Sequence, residues 1–530
     1  MSKKVGYNSL NIKNFKKNWK NDVLSGFLVF LLALPLSLGI AKASGFPDAM
    51  GILTAMIGGL VTVFFNVSEL SIKGPAAGLI TIAAGAVTDL GGNEQGWKIA
   101  SAAIVIMAIF QILFGILKFG SLSDFFPQSA VHGMLAAIGL IIIAKQIPVL
   151  LGVEPSLYKG QNPFELYYNI PNFIQSLNIK IFSVGFVSLI IVFLMPTLKT
   201  NFFNKIPAAI IVLIISIALS FLLNLKELTP DYALVKIGNF WGNLNLNADF
   251  SAINSFVFWK YVIMFLFVSS LESLLTVKAV DNLDPLKRTS NYNGDLIGQG
   301  AGNFISGFFG GLPMISEVLR SSSNISFGAK TKWSNFFHGL FLLIAMIFII
   351  PVIELIPNSA LAALLIFAGY KLANPKEFIH TYKIGKEQLS IFLTTIIVTL
   401  AEDLLLGILA GISVKILFLK YYGASIKNLF KANFSLVTKE NKTTLFINDA
   451  AIFSNLYKYK KILSEIPENN ELEINFENAT LIDHSFITFL HRFEIKMKES
   501  NRAFKISGLE KLEQLSNHHQ STRISKNTKS

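Results

Sequence analysis

The chain is 530 residues long, 52% hydrophobic and 15% charged, with a mean hydropathy of +0.53. That balance excludes an ordinary soluble protein and fits a polytopic membrane protein. The absence of cysteine excludes disulfides, thiolate catalysis and thiol-bound metal. The net charge of +13, without interleaved basic and aromatic surface segments, reads as loops facing anionic lipid and not as a nucleic-acid surface.

Lys3, Lys4, Lys13, Lys16, Lys17 and Lys20 precede the first apolar run and place residues 1–21 on the cytoplasmic side by the positive-inside rule. No small-residue cleavage site follows, so a cleaved signal peptide is not expected. Apolar segments then begin near Val23, Met50, Pro75, Trp97, Phe125, Ile181 and Ile206, and again near Phe256, Asn293, Pro313, Trp333, Pro357, Gln388 and Leu404. These are about fourteen segments, some too short to cross fully, within a membrane domain over residues 22–421. Polar stretches at 151–178 and 225–254 read as loops outside the bilayer, and the second divides the domain into halves of about 22–224 and 255–421.

Two interruptions stand out. Ser71-Ile-Lys73-Gly74-Pro75-Ala76-Ala-Gly78 opens the third segment, and Gly310-Gly311-Leu-Pro313-Met314-Ile315-Ser316-Glu317 opens the tenth. Gly and Pro break a membrane helix, and Pro in a first turn starts a new one, since its missing N–H has no partner there anyway. A half-helix beginning at membrane depth leaves its first N–H groups and positive dipole end exposed, which makes an anion site. Pro35 lies 39 residues before Gly74, as Glu272 does before Gly311, and Pro127-Gln-Ser-Ala-Val matches Pro357-Asn-Ser-Ala-Leu. An odd number of spans per repeat makes the copies antiparallel, so both breaks meet near the midplane, the arrangement of an inverted-repeat transporter.

Beyond residue 421 charged residues return. Thr443–Ile447, Glu471–Phe476 and Ala503–Ile506 read as strands and Leu456–Ile466 and Phe486–Lys498 as amphipathic helices, giving a small α/β domain over 434–515. The polar tail, residues 516–530, is expected to be disordered.

These residues resemble the SulP inorganic anion permeases, in which a seven-plus-seven inverted-repeat membrane domain precedes a cytoplasmic STAS domain. The resemblance rests on Ala33-Leu-Pro35-Leu-Ser37-Leu-Gly, Lys73-Gly-Pro-Ala-Ala, Glu272-Ser-Leu-Leu-Thr276, Gln299-Gly-Ala-Gly-Asn303, Gly310-Gly-Leu-Pro with Arg320, and Ala479-Thr-Leu-Ile-Asp483-His-Ser485. It runs from Asp22 to about Leu515 and is strongest to the bicarbonate-transporting branch, from which Met314, Ile315, Ser316 and Glu317 depart where small residues are usual. It implies secondary active uptake of a small oxyanion by an elevator-like alternating-access motion, with bicarbonate and sodium as the leading pair. Proton-coupled sulfate or C4-dicarboxylate transport is the alternative, and an anion channel the reading of another class. It also implies a homodimer in a bacterial inner membrane, with the N-terminus and STAS domain cytoplasmic and the latter open to a cytoplasmic partner. An enzyme finds no support, and no cofactor is expected beyond a coupling sodium ion.

The substrate residues expected are Pro35, Ser37, Gly74, Pro75, Ala76, Gly311, Pro313, Met314, Ile315, Ser316 and Arg320. Each has a plainer reading. Pro35 and Ser37 are also a kink and a back-bonded hydroxyl, Lys73 also a snorkelling residue, and Glu317 and Arg320 also a mutually neutralising pair. Glu272 is costly in an apolar run unless it is paired or faces a cavity. It either bonds Lys278 or Arg320, holds sodium together with Thr276 on the same helical face, or carries a proton. His132, His338 and His380 lack metal spacing, Glu402 and Asp403 mark a helix end, and Asp483 and Ser485 are either a helix cap or a phosphorylation site.

Overall fold

The computed structural model describes residues 12–525 except 66, 121–125, 159–160, 196–206, 228–231, 243, 287, 403, 440, 468–469 and 500–501. Its membrane helices, in chain order, are α1 (Ile12–Ala43), α2 (Asp48–Leu60), α3 (Ile80–Asp89), α4 (Asn93–Ile116), α5 (Gln128–Leu151), α6 (Ile179–Leu194) and α7 (Ala208–Leu222). A second set follows as α8 (Phe256–Leu283), α9 (Tyr292–Phe308), α10 (Val318–Ser326), α11 (Trp333–Phe348), α12 (Asn358–Leu372), α13 (Lys386–Ala401) and α14 (Leu404–Tyr421). The two sets correspond in order. Each opens on a long helix, α1 of 32 residues and α8 of 28, and each has a short third helix, α3 of 10 and α10 of 9. Four helices among the described residues, beginning at Phe15, Asn93, Gln128 and Phe256, are long and apolar enough to cross a membrane by length and composition.

The chain forms two compact units, one of residues 1–120 and 138–372 and the other of residues 121–137 and 373–530. The first is organised around a two-stranded antiparallel pair, β1 (Lys73–Pro75) with β2 (Met314–Ser316), in which Gly74 faces Ile315. This differs from the expectation that Pro75 and Pro313 sit in the first turn of a helix. Pro75 ends β1 and Pro313 directly precedes β2, and helix begins only at Ala77 and Val318. Pairing meets the backbone's need for partners where it is not helical: Ala76 N–H donates to Pro313 O at 3.1 Å and Glu317 N–H to Ile72 O at 2.9 Å. Helix α9 carries the glycines of the Gln299-Gly-Ala-Gly-Asn303 string against α4. A Cβ on Gly300 would meet Ile112 and Ala108 O, and one on Gly307 would meet Val105 and Ser101 O. Small residues at these points let the two backbones approach.

In the second unit α13 and α14 form a hairpin, with Gly407 and Gly411 of α14 closed against Thr399 and Thr395. The α/β domain has a sheet of β3 (Phe434–Lys439), β4 (Lys442–Ile447), β5 (Glu471–Asn475) and then β7 (Phe504–Ser507). Strand β3 is antiparallel to β4, and the others run parallel. Helices α15 (Leu456–Glu465) and α16 (His484–Glu499) bury Tyr459, Leu463, Phe486 and Leu490 against Leu445, Ile447, Ile474 and Phe476. The strands and helices read from periodicity recur within a residue or two, whereas β3 and a second sheet escape it. That sheet pairs β6 (Leu481–Ile482) and β8 (Leu512–Gln514) with β9 (Arg523–Ser525). The tail expected to be disordered therefore supplies a strand as far as Ser525, with Ser521 and Thr522 buried. Its polarity misleads because pairing satisfies its backbone, while residues 526–530 lie outside the described ones.

Asp483 caps α16 through Oδ1, which accepts from Phe486 N–H at 2.9 Å, while Oδ2 accepts from Phe453 N–H at 3.1 Å. The same Oδ2 lies 3.2 Å from Lys415 Nζ of α14, and both side chains are buried. This carboxylate is fully engaged as cap and ion pair. Ser485, half-buried in the first turn of α16, makes no such bonds in that network. Removing one partner of a buried pair strands a charge, so Lys415→Met or Asp483→Asn alone should each cost about 3–5 kcal/mol, and the double substitution less than the sum. Thermal denaturation of the purified full chain checks this. His484, beside the pair, donates from Nδ1 to Gln520 O at 2.8 Å, and burial pulls its imidazole down from 6.5 to about 4. The unfolded chain takes up this proton near pH 6.5 and the folded one only near pH 4. Stability should therefore fall as pH drops through that window, by up to about 1.4 kcal/mol per unit. His484→Gln should flatten the dependence in a melting series between those limits.

Candidate anion and cation site at the crossed half-helices

Strands β1 and β2 deliver two helix starts to one place. Neither the turn beginning at Ala77 nor α10 has a side-chain cap, with Ala76 and Glu317 standing at the cap positions. First-turn N–H groups have no acceptor within their own helix, so both starts direct donors and positive dipole ends outward. Around them, α1 packs against β1, α3 and α10, and α8 against β2, α3 and α10.

Glycines set how near the side chains come. A Cβ on Gly74 would collide with Arg320 Nη1, and one on Gly78 with the Glu272 carboxylate. Arg320 of α10 therefore lies on β1 and Glu272 of α8 on the first turn after it. Thr276, one helical turn beyond Glu272, is also buried. Arg320 is 0% exposed, and its Nε lies 3.0 Å from Glu317 Oε2. That N–H is not aimed at the oxygen, so the contact is an ion pair, not an aligned hydrogen bond, and Nη1 and Nη2 also have no acceptor. Ser37 Oγ, Glu272 Oε2 and Glu317 Oε1 are likewise buried without a hydrogen-bond partner. Buried polar atoms are normally bonded, so these orphans on four residues make the crossing a candidate for ligand-binding chemistry.

Of the residues singled out from sequence, Pro35 and Ser37 are buried within α1, which continues through the proline. Gly74, Pro75, Ala76, Met314, Ile315, Ser316, Glu317 and Arg320 form the crossing itself. Gly311 does not line it. Its Cα faces Ser306 and Thr54 within the turn that leads to Pro313, and Leu312 N–H donates to Thr54 Oγ1 at 2.8 Å. Lys73 does not snorkel. It is fully buried and donates to Asp295 Oδ2 at 2.6 Å and to Ser316 Oγ. Arg320 takes Glu317 as its partner in place of Glu272. Glu402 follows the end of α13, Asp403 lies outside the described residues, and His132 pairs with Glu377 at 3.3 Å.

Sequence reasoning missed the supports. Asn303 accepts from Met314 N–H at 2.7 Å and donates to Met314 O at 3.2 Å, and Gln299 donates to the same carbonyl at 2.9 Å. Ser316 N–H donates to Ser273 Oγ, and Lys73 N–H to Asn335 Oδ1, each at 3.1 Å. Asp295 carried a usable signal, being the one charged residue of its segment, Tyr292–Phe308, where a charge demands a partner. His338 of α11, fully buried with neither ring nitrogen bonded, lies within electrostatic range of Arg320. A separate cavity of about 550 Å³ opens around Lys42, Asp48, Glu154 and Lys236. Its charges are mixed and its lining includes none of the crossing, whose orphaned polar atoms make the crossing the better candidate.

Gly78→Ala and Gly74→Ala test this geometry. Each new methyl group meets the end of a flexible side chain, so the protein should still fold while Glu272 or Arg320 is displaced. Anion uptake should fall at least tenfold with melting temperature little changed. Gly311→Val, which meets backbone and hydroxyls of the turn, should instead lower the melting temperature.

The sulfate permease family profile matches residues 19–395 of the chain. Among curated relatives, the putative sulfate transporter YvdB of Bacillus subtilis is 24% identical over 78% of this chain and 75% of its own length. The bicarbonate transporter BicA of Picosynechococcus is 23% identical over 75% of this chain and 69% of its own. The solved transmembrane domain of a cyanobacterial BicA superposes with a TM-score of 0.64 at 22% identity, covering 75% of this chain and 98% of that one. The murine Slc26a9 anion transporter in its inward-facing state gives 0.65 at 14%, covering 92% and 85%. At these identities the structural likeness establishes the fold, and the profile match over most of the chain establishes the lineage: the protein is an anion transporter of the sulfate permease family.

Proposed function

We propose that this transporter takes up a small inorganic oxyanion by alternating access, with bicarbonate as substrate and sodium as coupling ion. The observation that carries the reading is the juxtaposition, at one sealed crossing, of two uncapped helix starts, a guanidinium with unbonded Nη atoms and a buried carboxylate with an unbonded oxygen. An oxyanion needs converging N–H donors and a cation, which the helix starts, Ser37 and Arg320 supply. Sodium needs oxygen ligands including a negative one, which Glu272 and Thr276 provide on one face of α8. BicA, a relative named as a bicarbonate transporter, supports the choice of anion. Exposing the crossing to each side in turn requires the half-helices with α1 and α8 to move as one body against the remaining helices.

We read the α/β domain as a cytoplasmic STAS-type regulatory module, with the lysine-rich N-terminus on the same side, and the working unit as a homodimer in the inner membrane. Proteoliposomes decide the transport reading. Labelled bicarbonate should accumulate against a gradient when sodium is imposed, and sulfate and succinate should accumulate less. Glu272→Gln should abolish accumulation but spare exchange, and Thr276→Ala should weaken sodium dependence by an order of magnitude. Uptake that follows a pH gradient and ignores sodium would give Glu272 a proton instead. Passive flux insensitive to either gradient would make the protein a channel.

A further inference from the structure

Glu317 adds a charge to the crossing that the transport reading does not use. Arg320 is held 3.0 Å from it, and Glu272 lies within electrostatic range of the same carboxylate. Both acids are nearly sealed, at 7% and 9% exposure, and each has an oxygen without a hydrogen-bond donor. Among the described residues of the crossing, the other cation, Lys73, is committed to Asp295 at 2.6 Å. His338 has no bonded partner on either ring nitrogen, and an unpartnered imidazole is ordinarily uncharged at pH 7. The crossing therefore sets the carboxylates of Glu272 and Glu317 against the single guanidinium of Arg320.

One bound cation at Glu272 brings that account to neutrality. An arriving anion then takes it negative again, by one charge for a monoanion and by two for a dianion. In a site removed from water each further uncompensated charge is strongly disfavoured. Glu317 also stands at the N-cap position of α10, where its negative charge already occupies part of the dipole field that an anion would use. We propose that Glu317 is a charge filter: held against Arg320, it leaves attraction sufficient for a singly charged oxyanion and too little for a doubly charged one. This rests on the oxyanion-transport reading and deepens it, since it makes the substrate class monovalent and assigns the discrimination to a residue that need not touch the substrate.

The test uses the full-length protein in proteoliposomes at one fixed pH and sodium gradient, with bicarbonate and sulfate competing. The wild type should favour bicarbonate, and nitrate should inhibit bicarbonate uptake far better than sulfate does. Glu317→Gln keeps the side-chain shape without the charge and should move the sulfate-to-bicarbonate ratio at least tenfold toward sulfate, while Glu317→Asp restores the wild-type preference. A merely structural role would lower both uptakes together and leave their ratio unchanged, which would overturn the proposal. Sulfate competing as well as nitrate in the wild type would overturn it even if Glu317→Gln failed to fold. Those results leave oxyanion transport standing, whereas no uptake of either anion by the wild type would bring down both readings.

Discussion

A helix interrupted inside a membrane must find partners for its backbone, and here the solution is that each interruption bonds to the other. Strand β1 pairs with β2 across the two halves of the chain, so that neither break has to be filled by water. The rest of the transport unit follows from this pairing. It fixes where both half-helices start, and it requires glycine at 74 and 78 so that Arg320 and Glu272 can lie on the strand and first turn. Asn303, Gln299, Asn335 and Ser273 then bond the outer edges of the pair. The result is a crossing whose backbone polar groups are bonded, flanked by side chains with unbonded polar atoms.

That contrast distinguishes support from site. Lys73 and Asp295 are as deeply buried as Arg320, yet they satisfy each other and tie β1 to α9. Arg320, Glu317 and Glu272 keep unbonded atoms around the same crossing. An isolated buried charge is expensive, and a transporter has reason to bear that expense only where its cargo supplies the missing partner during the cycle. On the proposed reading, coupling has a simple electrostatic origin: a cation at Glu272 and an anion at the helix starts would each offset charge that the other leaves uncompensated.

The C-terminal unit uses the same physics for a different end. Lys415, in the middle of an apolar helix, is answered by Asp483 at the head of α16, so the last membrane helix and the α/β domain share one buried pair. The carboxylate that ends the Leu481–Asp483 string is thereby committed three times, to α16, to the Phe453 amide and to Lys415. The shared pair gives a physical route by which disturbance of the domain reaches a membrane helix.

The sequence by itself determined the membrane class, the order and rough extent of the helices, the two interruptions, the internal repeat and the alternation of the C-terminal domain. These follow from hydropathy, from Gly and Pro chemistry and from local periodicity, all of which act over a few neighbouring residues. It also picked out Glu272, because a charge in an apolar run is conspicuous wherever it ends up, whereas Arg320 was singled out by family resemblance. Only the tertiary structure decided who their partners are. Lys73 meets Asp295 across 222 positions and Thr54 meets Ser306 across 252, separations at which no local pattern links one residue to the other. For the same reason the breaks form strands where helix was expected, Gly311 belongs to a turn and not to the site, and a polar tail becomes a strand. In each case burial and pairing, with partners outside the residue's own helix or strand, override what its immediate neighbours favour.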